Sequence, residues 1–284
     1  MIYEVTHRTD YKYAAPVSAS YGKAHLLPRD TPTQTCRRAE VRFDPLPDDR
    51  SEHLDSFGNR TMNFTILQPH TTLTVTGISV VEVLDRTAPS LLGNQPWEHA
   101  ATGAAAEAVE FRLDSPRVAA SAELAEFAAP SFAPGRPVAD AVADLVHRIK
   151  TGFEYVPGAT TVTSTIDELM ASRQGVCQDF AHLAIGCLRS VGLAARYVSG
   201  YLETDPPPGQ ERVPGADQSH AWASVYVPGD GWVDVDPTND RYVNDRYVTT
   251  AWGRDYGDVP PIEGVIFTDG SQQGMTVTVD VVPV

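Results

Sequence analysis

The sequence predicts an α+β protein in which an N-terminal β-sandwich-like domain precedes a second domain made of helices followed by strands. Segments that alternate apolar and polar residues fill the first 85 positions, helical periodicity dominates the middle, and alternation returns in the last third. With 284 residues, of which 42% are hydrophobic and 21% charged, the chain is long enough for two ordinary soluble domains.

The first domain is predicted to span residues 1–85. Tyr3, Val5 and His7 alternate with polar residues, as in a strand that buries one face. The same alternation recurs in four later segments, at residues 40–43, 62–66, 73–76 and 78–83. Short strands at this spacing are typical of a β-sandwich.

Residues 86–100 are predicted to form a linker, because Pro89, Gly93 and Pro96 interrupt any regular pattern there. The second domain, which would carry the chemistry, is then expected to span residues 101–284. Two domains joined by a short irregular segment are the expected organisation.

The second domain is predicted to begin with helices. Between residues 138 and 149, apolar side chains recur at the spacing of an amphipathic helix. A short helix should follow Thr165, which is a suitable N-cap. From Cys177 onward, apolar residues cover nearly the whole circumference of a third helix, and Gly192 suits its C-terminal end. A helix of this kind is a buried one.

The charge of the chain limits its partners. There are 22 basic and 37 acidic residues, a net charge of −15, and no basic cluster that could bind a phosphate backbone or an anionic membrane. The N-terminal residues lack the features of a signal peptide, and no apolar run approaches the roughly 20 residues that span a bilayer. We therefore expect a cytoplasmic protein that binds neither nucleic acid nor membranes.

The three cysteines, Cys36, Cys177 and Cys187, do not suggest a disulfide framework. Cys177 and Cys187 would lie about 15 Å apart on one helix, too far for a disulfide. Cys177 differs from the other two because it follows a Gly-Val pair at the start of its helix. Free backbone N–H groups at that end favour a thiolate and can hold the oxyanion of a tetrahedral intermediate.

The partners of such a thiol are predicted on a β-hairpin. His220 lies on one strand, and a turn at residues 228–231 brings the following strand back beside it. If Tyr226 or Val227 pairs with Trp232, Asp236 lies near Trp222 or Ala223. With the even register it shares a face with His220, one diagonal step away, and can orient its imidazole. A shift of one residue would reverse the facing, and Asp234 has the same parity, so it is the alternative orienting carboxylate.

Several segments together resemble the transglutaminase-like core, in the bacterial branch that carries an N-terminal β-domain. In the core they are GVCQDFAHL (175–183), GLAARYVSGY (192–201), HAW (220–222) and WVDVDPT (232–238). In the first domain they are YKY (11–13), FGN (57–59) and PHTTL (69–73). The resemblance implies a papain-like α+β fold, in which the cysteine-bearing helix packs on an antiparallel sheet. It also implies Cys177 as nucleophile, His220 as base and Asp236 as the orienting aspartate.

Three further residues are candidates to hold the oxyanion or to support the triad: Tyr155, Gln178 and Asp179. His182 is expected to be a polar residue of the core. No cofactor or metal is predicted, because the acidic clusters lack the spacing of an EF-hand loop and no paired Cys or His motif suits structural zinc.

The expected substrate is a peptide or protein amide. The sequence favours a cysteine peptidase or amidase, because water as acyl acceptor needs no second binding groove. Transfer to an amine, as in a protein-glutamine gamma-glutamyltransferase, is the alternative. A further alternative is a non-catalytic module whose N-terminal domain binds a protein partner.

Overall fold

The structure is a computed structural model, which describes residues 1–84, 94–103, 105–204, 217–270 and 273–284. Most of the predicted linker, including Pro89 and Gly93, lies outside the described residues. The last part of that linker is not irregular, because residues Trp97–Thr102 form a short helix, α1.

The N-terminal region is an antiparallel sheet built around one long strand. Its first five strands are β1 (Ile2–Ala24), β2 (Gln34–Asp44), β3 (Asp49–Leu54), β4 (Arg60–Ile66) and β5 (His70–Val83). The first half of β1 pairs with β5 and the second half with β4. The strand therefore belongs to both halves of the sheet.

Apolar side chains from the two halves of this sheet face each other. The β1–β5 pairing shifts register between Lys12 and Val17, around Pro16, which has no N–H to donate. Phe43 on β2 and Phe64 on β4 meet with ring centroids 4.7 Å apart, inside one buried cluster. A sheet that curls over its own core in this way gives the sandwich-like arrangement that the sequence predicts.

The structure differs from the sequence prediction at the C-terminus. Strands β13 (Ile262–Thr268) and β14 (Gln273–Pro283) pair with β1 in the N-terminal sheet, although the sequence prediction assigns them to the second domain. Val279 and Val281 are fully buried there. Alternation predicts that such a segment is a strand, but it carries no information about which sheet the strand joins.

Helices and a second sheet make up the remainder. The helices after α1 are α2 (Ala122–Ala128), α3 (Val138–Gly152), α4 (Ile166–Ser172) and α5 (Cys177–Ser190), with 3-10 turns at Ala106–Arg112 and Tyr256–Asp258. No helix among the described residues is long and apolar enough to cross a membrane. Helix α5 is buried at twelve of its fourteen positions, as predicted.

The second sheet lies against α5 and is antiparallel, in the order β11-β10-β9-β8-β12. Its strands are β8 (Ala195–Leu202), β9 (Ser219–Val227), β10 (Gly231–Asp236), β11 (Arg241–Tyr242) and β12 (Tyr247–Gly253). Two short strands, β6 (Glu154–Tyr155) and β7 (Gln174–Gly175), pair in parallel just before α5. The predicted α+β class, with a cysteine-bearing helix on an antiparallel sheet, is confirmed.

Two buried amide side chains attach the N-terminal sheet to the edge strand β12. Gln34 donates to the Thr249 carbonyl at 2.7 Å and accepts from the Thr249 N–H at 2.8 Å. Asn59 donates to the Trp252 carbonyl at 2.8 Å and accepts from the Trp252 N–H at 2.9 Å. These amides satisfy backbone groups that a further strand would otherwise bond.

Candidate active site

The first turn of α5 positions Cys177, its first residue. The Asp179 carboxylate accepts from the Val176 N–H at 2.8 Å and from the Thr160 hydroxyl at 2.6 Å. Burial raises the pKa of Asp179 above its usual range, although both hydrogen bonds lower it. Asp179 thus holds the loop that contains Thr160 against the start of α5, next to Cys177.

Gly175 permits the close approach that this turn requires. A Cβ at this position would lie 2.7 Å from Leu169 Cδ1 and 2.9 Å from Asp179 Oδ2, closer than such atoms can approach. Gly175 also pairs with Tyr155 across β6 and β7, which places the tyrosine beside the start of α5. The glycine in the Gly-Val-Cys segment therefore has a structural reason.

The β9–β10 hairpin adopts one of the two registers that the sequence left open. Tyr226 pairs with Trp232, so the diagonal step from Asp236 to His220 is formed. His220 Nε2 lies 2.7 Å from Asp236 Oδ2. Asp234 pairs with Ser224 further along the hairpin, and Asp236 is the carboxylate that bonds the imidazole.

Asp236 is fully buried and its two oxygens accept five hydrogen bonds. Oδ1 accepts from the N–H groups of Thr238 and Asn239 at 2.8 and 3.2 Å. Oδ2 accepts from His220, from the Asn239 side chain and from the Tyr247 hydroxyl, each at 2.7 Å. Burial raises the pKa of this carboxyl, but the charge of His220 and these donors outweigh burial and hold the pKa below its usual range.

The pKa of His220 is shifted in the opposite direction to that of Asp236. Burial lowers its pKa, but the charge and hydrogen bond of Asp236 and the hydrogen bond with Cys177 outweigh burial and raise it to about 10. Because Nε2 faces Asp236, Nδ1 is the nitrogen left for the thiol. A cysteine and an imidazole in this arrangement can share one proton as a thiolate–imidazolium pair.

Aromatic side chains enclose the histidine. The rings of Trp222 and Tyr247, both fully buried, lie with centroids 6.1 and 5.9 Å from that of His220. The Trp222 and Tyr247 rings contact each other across β8, because Gly200 on that strand has no side chain between them. A Cβ at Gly200 would lie 2.6 Å from Trp222 Cη2. This apolar wall limits water around the His220–Asp236 pair and strengthens its electrostatic interaction.

The remaining sequence candidates occupy different positions. The Gln178 amide donates to the Val162 carbonyl at 3.3 Å, so its side chain is engaged with the loop before α4. Tyr155 is 40% exposed, and the Cys177 charge, after burial, raises its pKa. Tyr155 therefore lies near the thiol, whereas Gln178 offers its backbone N–H at the helix start.

Two residues of the site were not predicted from the sequence: Tyr247 and Asn239. Asn239 follows Asp236 by three residues, so a turn that folds its amide back onto the carboxylate was a detectable signal. Tyr247 lies on β12, at the far edge of the sheet from β10, and no local pattern places it near Asp236.

An open cleft of about 340 Å³ adjoins His220. Its lining includes Lys150, Tyr155, Leu202, Gln218, Thr238 and Asn239. This volume is within the range of sites for small ligands or a few residues of a peptide. Solvent and small molecules can reach the His220 imidazole through this cleft.

His182 lies in the core, as expected. It is 2% exposed, and its Nε2 accepts from the Tyr256 N–H at 3.1 Å. Burial lowers its pKa to about 4, so it is neutral at pH 7. Within the described parts of the chain, no three His, Cys, Asp or Glu side chains are grouped so that they could hold a metal ion.

Comparison with known families covers both regions. Residues 3–82 match the bacterial transglutaminase-like N-terminal region, and residues 125–237 match the transglutaminase-like superfamily. The second match contains all three proposed triad residues.

Individual proteins extend this likeness over the whole chain. An uncharacterised protein of Mycobacterium tuberculosis (strain ATCC 25618 / H37Rv) is 46% identical over 293 residues, which cover 99% of this chain and 92% of the relative. The crystal structure of a "Putative Cysteine Protease" from Cytophaga hutchinsonii has a TM-score of 0.77 at 21% identity, covering 100% of this chain and 91% of that chain. At that identity, the likeness shows the fold alone.

A third relative is similar over a shorter stretch. A protein-glutamine gamma-glutamyltransferase of Pseudomonas aeruginosa is 35% identical over 89 residues, which are 30% of this chain and 13% of that protein. This chain belongs to the transglutaminase-like superfamily, with a bacterial transglutaminase-like N-terminal region.

Proposed function

We propose that this chain is a thiol-dependent enzyme that hydrolyses peptide or glutamine-type amide bonds through a thioester. The observation that carries the proposal is the 2.7 Å contact between His220 Nε2 and Asp236 Oδ2, in a ring whose pKa Cys177 also raises. A carboxylate that orients an imidazole, and an imidazole that takes the proton of a thiol, are the parts of nucleophilic catalysis.

In the first half of the reaction, the Cys177 sulfur attacks the amide carbonyl carbon and forms a tetrahedral oxyanion. The backbone N–H groups at the start of α5 are placed to donate to that oxygen. His220 then gives its proton to the amide nitrogen, the C–N bond breaks, and the amine leaves. The acyl group remains on Cys177 as a thioester.

In the second half, water attacks the thioester while His220 takes one of its protons. The C–S bond breaks and the carboxylic acid leaves, and the proton on His220 is again shared with the thiolate. Asp236 stays ionised throughout and stabilises the imidazolium in both halves.

Transfer to an amine is the second candidate, because the related segment of the Pseudomonas protein belongs to a gamma-glutamyltransferase. An amine would replace water at the thioester and give a new amide. We favour water, because the cleft beside His220 carries the cation Lys150, which disfavours an incoming lysine ammonium.

The test compares the wild-type chain with Cys177→Ala on blocked glutaminyl peptides and a peptide mixture. Ammonia release and new peptide termini are measured with and without a primary amine. We expect products from the wild type without amine and none from Cys177→Ala. Amine incorporation that exceeds hydrolysis would favour the transferase. Equal, background-level product from both proteins would contradict catalysis and favour a binding module.

A further inference from the structure

We propose that the cleft beside His220 binds a carboxylate on the amine side of the scissile bond. The preferred substrates are then amides whose leaving amine carries a free carboxylate, such as the C-terminal residue of a peptide. This inference rests on the proposed function and adds the substrate class to it.

The position of the cleft assigns it to the leaving group. Among its described lining residues are His220 and its neighbours Gln218 and Ser219, but not Cys177. The acyl part of a substrate stays on the sulfur, whereas the amine departs from the side of the imidazole that protonates it. A fragment held in this cleft is therefore the amine part.

The charge of the cleft selects an anion. Lys150 is one of only three lysines in a chain of net charge −15, and the other two, Lys12 and Lys23, lie on β1. Apart from His220, it is the one side chain with a positive charge among the described residues of the lining. None of the ion pairs among the described residues involves it.

Two acidic residues close in sequence to Lys150 or to the described lining of the cleft already have partners. Glu154 accepts from the Gln174 amide at 3.0 Å. Asp240, which follows Asn239, lies 2.7 Å from His147. The ammonium of Lys150 is therefore left to pair with a group that enters the cleft.

A second polar group in the lining lacks a partner. Thr238 is 8% exposed, and within the described residues its Oγ1 has no hydrogen-bond partner. Its N–H is bonded to Asp236 at 2.8 Å, so the backbone is fixed beside the triad. A buried hydroxyl without a partner is costly. Rotation of the Thr238 side chain towards the cleft would let this hydroxyl donate to a carboxylate bound near Lys150.

Other ligands fit this cleft less well. An incoming ammonium would be repelled by Lys150, and a neutral amide would leave its charge without a partner. Lys150 also lies in the last turn of α3, where a cation is favourable for the helix alone. The experiment must therefore separate a role in substrate binding from a role in helix stability.

The experiment uses N-acetylated dipeptides, each made as the free acid and as the C-terminal carboxamide. Release of the C-terminal residue is followed by mass spectrometry. For the wild type we expect kcat/KM to be about five- to tenfold higher for the free acid than for the carboxamide, because the free acid has the lower KM. A factor of this size corresponds to one partly shielded ion pair. Lys150→Met should bring the ratio near one, and Lys150→Glu should invert it.

Two further variants serve as controls. Lys12→Met removes a distant lysine and should leave the ratio unchanged. Thr238→Val should lower the ratio less than Lys150→Met, because it removes a neutral donor. A wild-type ratio of one, or a preference for the acid that survives Lys150→Glu, would overturn the inference while leaving the proposed hydrolysis intact.

A binding measurement covers the case in which neither dipeptide is cleaved. The free acid should slow iodoacetamide labelling of Cys177 more than the carboxamide does, and Lys150→Glu should abolish that difference. Equal protection by the two forms would overturn the inference. Unequal protection without cleavage would support the cleft and contradict the proposed function.

Discussion

Helix α5 carries one cysteine at its first turn and another in its interior, and each lies in a region that also holds a histidine. Cys177 at the start is paired with His220 on β9. Cys187, in the interior, is fully buried in the same core that covers His182. The residue types are the same in both regions, but their surroundings are opposite.

The two histidines show what the surroundings do. Burial lowers the pKa of both rings, and for His182 it prevails, so that its pKa falls to about 4. At His220, Asp236 and Cys177 reverse the effect of burial. Burial raises the pKa of the Cys187 thiol to about 12, which makes it inert. A charged partner and access to solvent, rather than residue type, distinguish the site from the core.

The largest expected contrast is between the two cysteines. Cys177→Ala should lower kcat by at least about 10⁴-fold, because the nucleophile is lost. Cys187→Ala should keep kcat within about twofold but lower the free energy of unfolding by roughly 1–2 kcal/mol, because it leaves a small cavity. Turnover and urea unfolding of both variants measure this. A Cys187→Ala enzyme that is folded but inactive would contradict the distinction.

Replacing the orienting carboxylate should have the next largest effect. Asp236→Asn keeps the size of the side chain but removes the charge that holds His220 protonated. We expect kcat to fall roughly 10³-fold while the protein stays folded, since a neutral partner no longer stabilises the imidazolium. Asp234→Asn is the matched control and should retain most activity. Equal losses of kcat in Asp236→Asn and Asp234→Asn would contradict the assignment of Asp236 as the carboxylate that orients His220.

The interior histidine predicts an acid-sensitive fold. Because the folded pKa of His182 is about 4 and the unfolded value is near 6.5, the unfolded chain binds a proton first as the pH falls. Stability should therefore be fully present above pH 6.5 and decrease towards pH 4. The loss is on the order of 2–3 kcal/mol for this residue.

His182→Gln should flatten that part of the profile of melting temperature against pH. His7, whose pKa burial also lowers to about 4, supplies a similar slope that the variant leaves unchanged. An unaltered profile in His182→Gln would show that His182 is not buried as a neutral ring.

The smallest effect is expected at Tyr247. Tyr247→Phe removes one of the five donors to Asp236, so kcat should fall about three- to tenfold, with a loss of stability near 1 kcal/mol. The matched control is Tyr242→Phe, which removes a hydroxyl that donates to the Ala139 carbonyl at 2.7 Å, outside the triad. If Tyr242→Phe loses a similar amount of stability but keeps a normal kcat, the kcat loss in Tyr247→Phe reflects the positioning of Asp236 rather than lower stability. Equal kcat losses in both variants would count against a positioning role.

The sequence limited the partner of His220 to Asp236 or Asp234, because a short turn restricts which residues of a hairpin can face each other. The structure selects Asp236. The same local logic placed Cys177 at a helix start. Tyr247 could not be predicted, since it reaches Asp236 from the opposite edge of the sheet. Its position depends on β8 and on Gly200, and no periodicity encodes such a contact.

The pairing of β13 and β14 with β1 was missed for a similar reason. A strand pattern indicates a buried face but not its neighbour, and these strands follow β1 by more than 230 residues. The amides of Gln34 and Asn59 that attach the N-terminal sheet to β12 are likewise visible only in three dimensions. Local chemistry was therefore predictable, and long-range assembly was not.

The central claim is that Cys177 is a nucleophile activated by His220, whereas Cys187 is part of the core. The most direct test is the rate of iodoacetamide labelling of each cysteine against pH, read by mass spectrometry in the wild type and in His220→Ala. Cys177 should already react at pH 6, Cys187 should stay unlabelled in the folded protein, and His220→Ala should slow only Cys177. Labelling of Cys177 that first appears near pH 8.5, or that is unchanged in His220→Ala, would contradict the account.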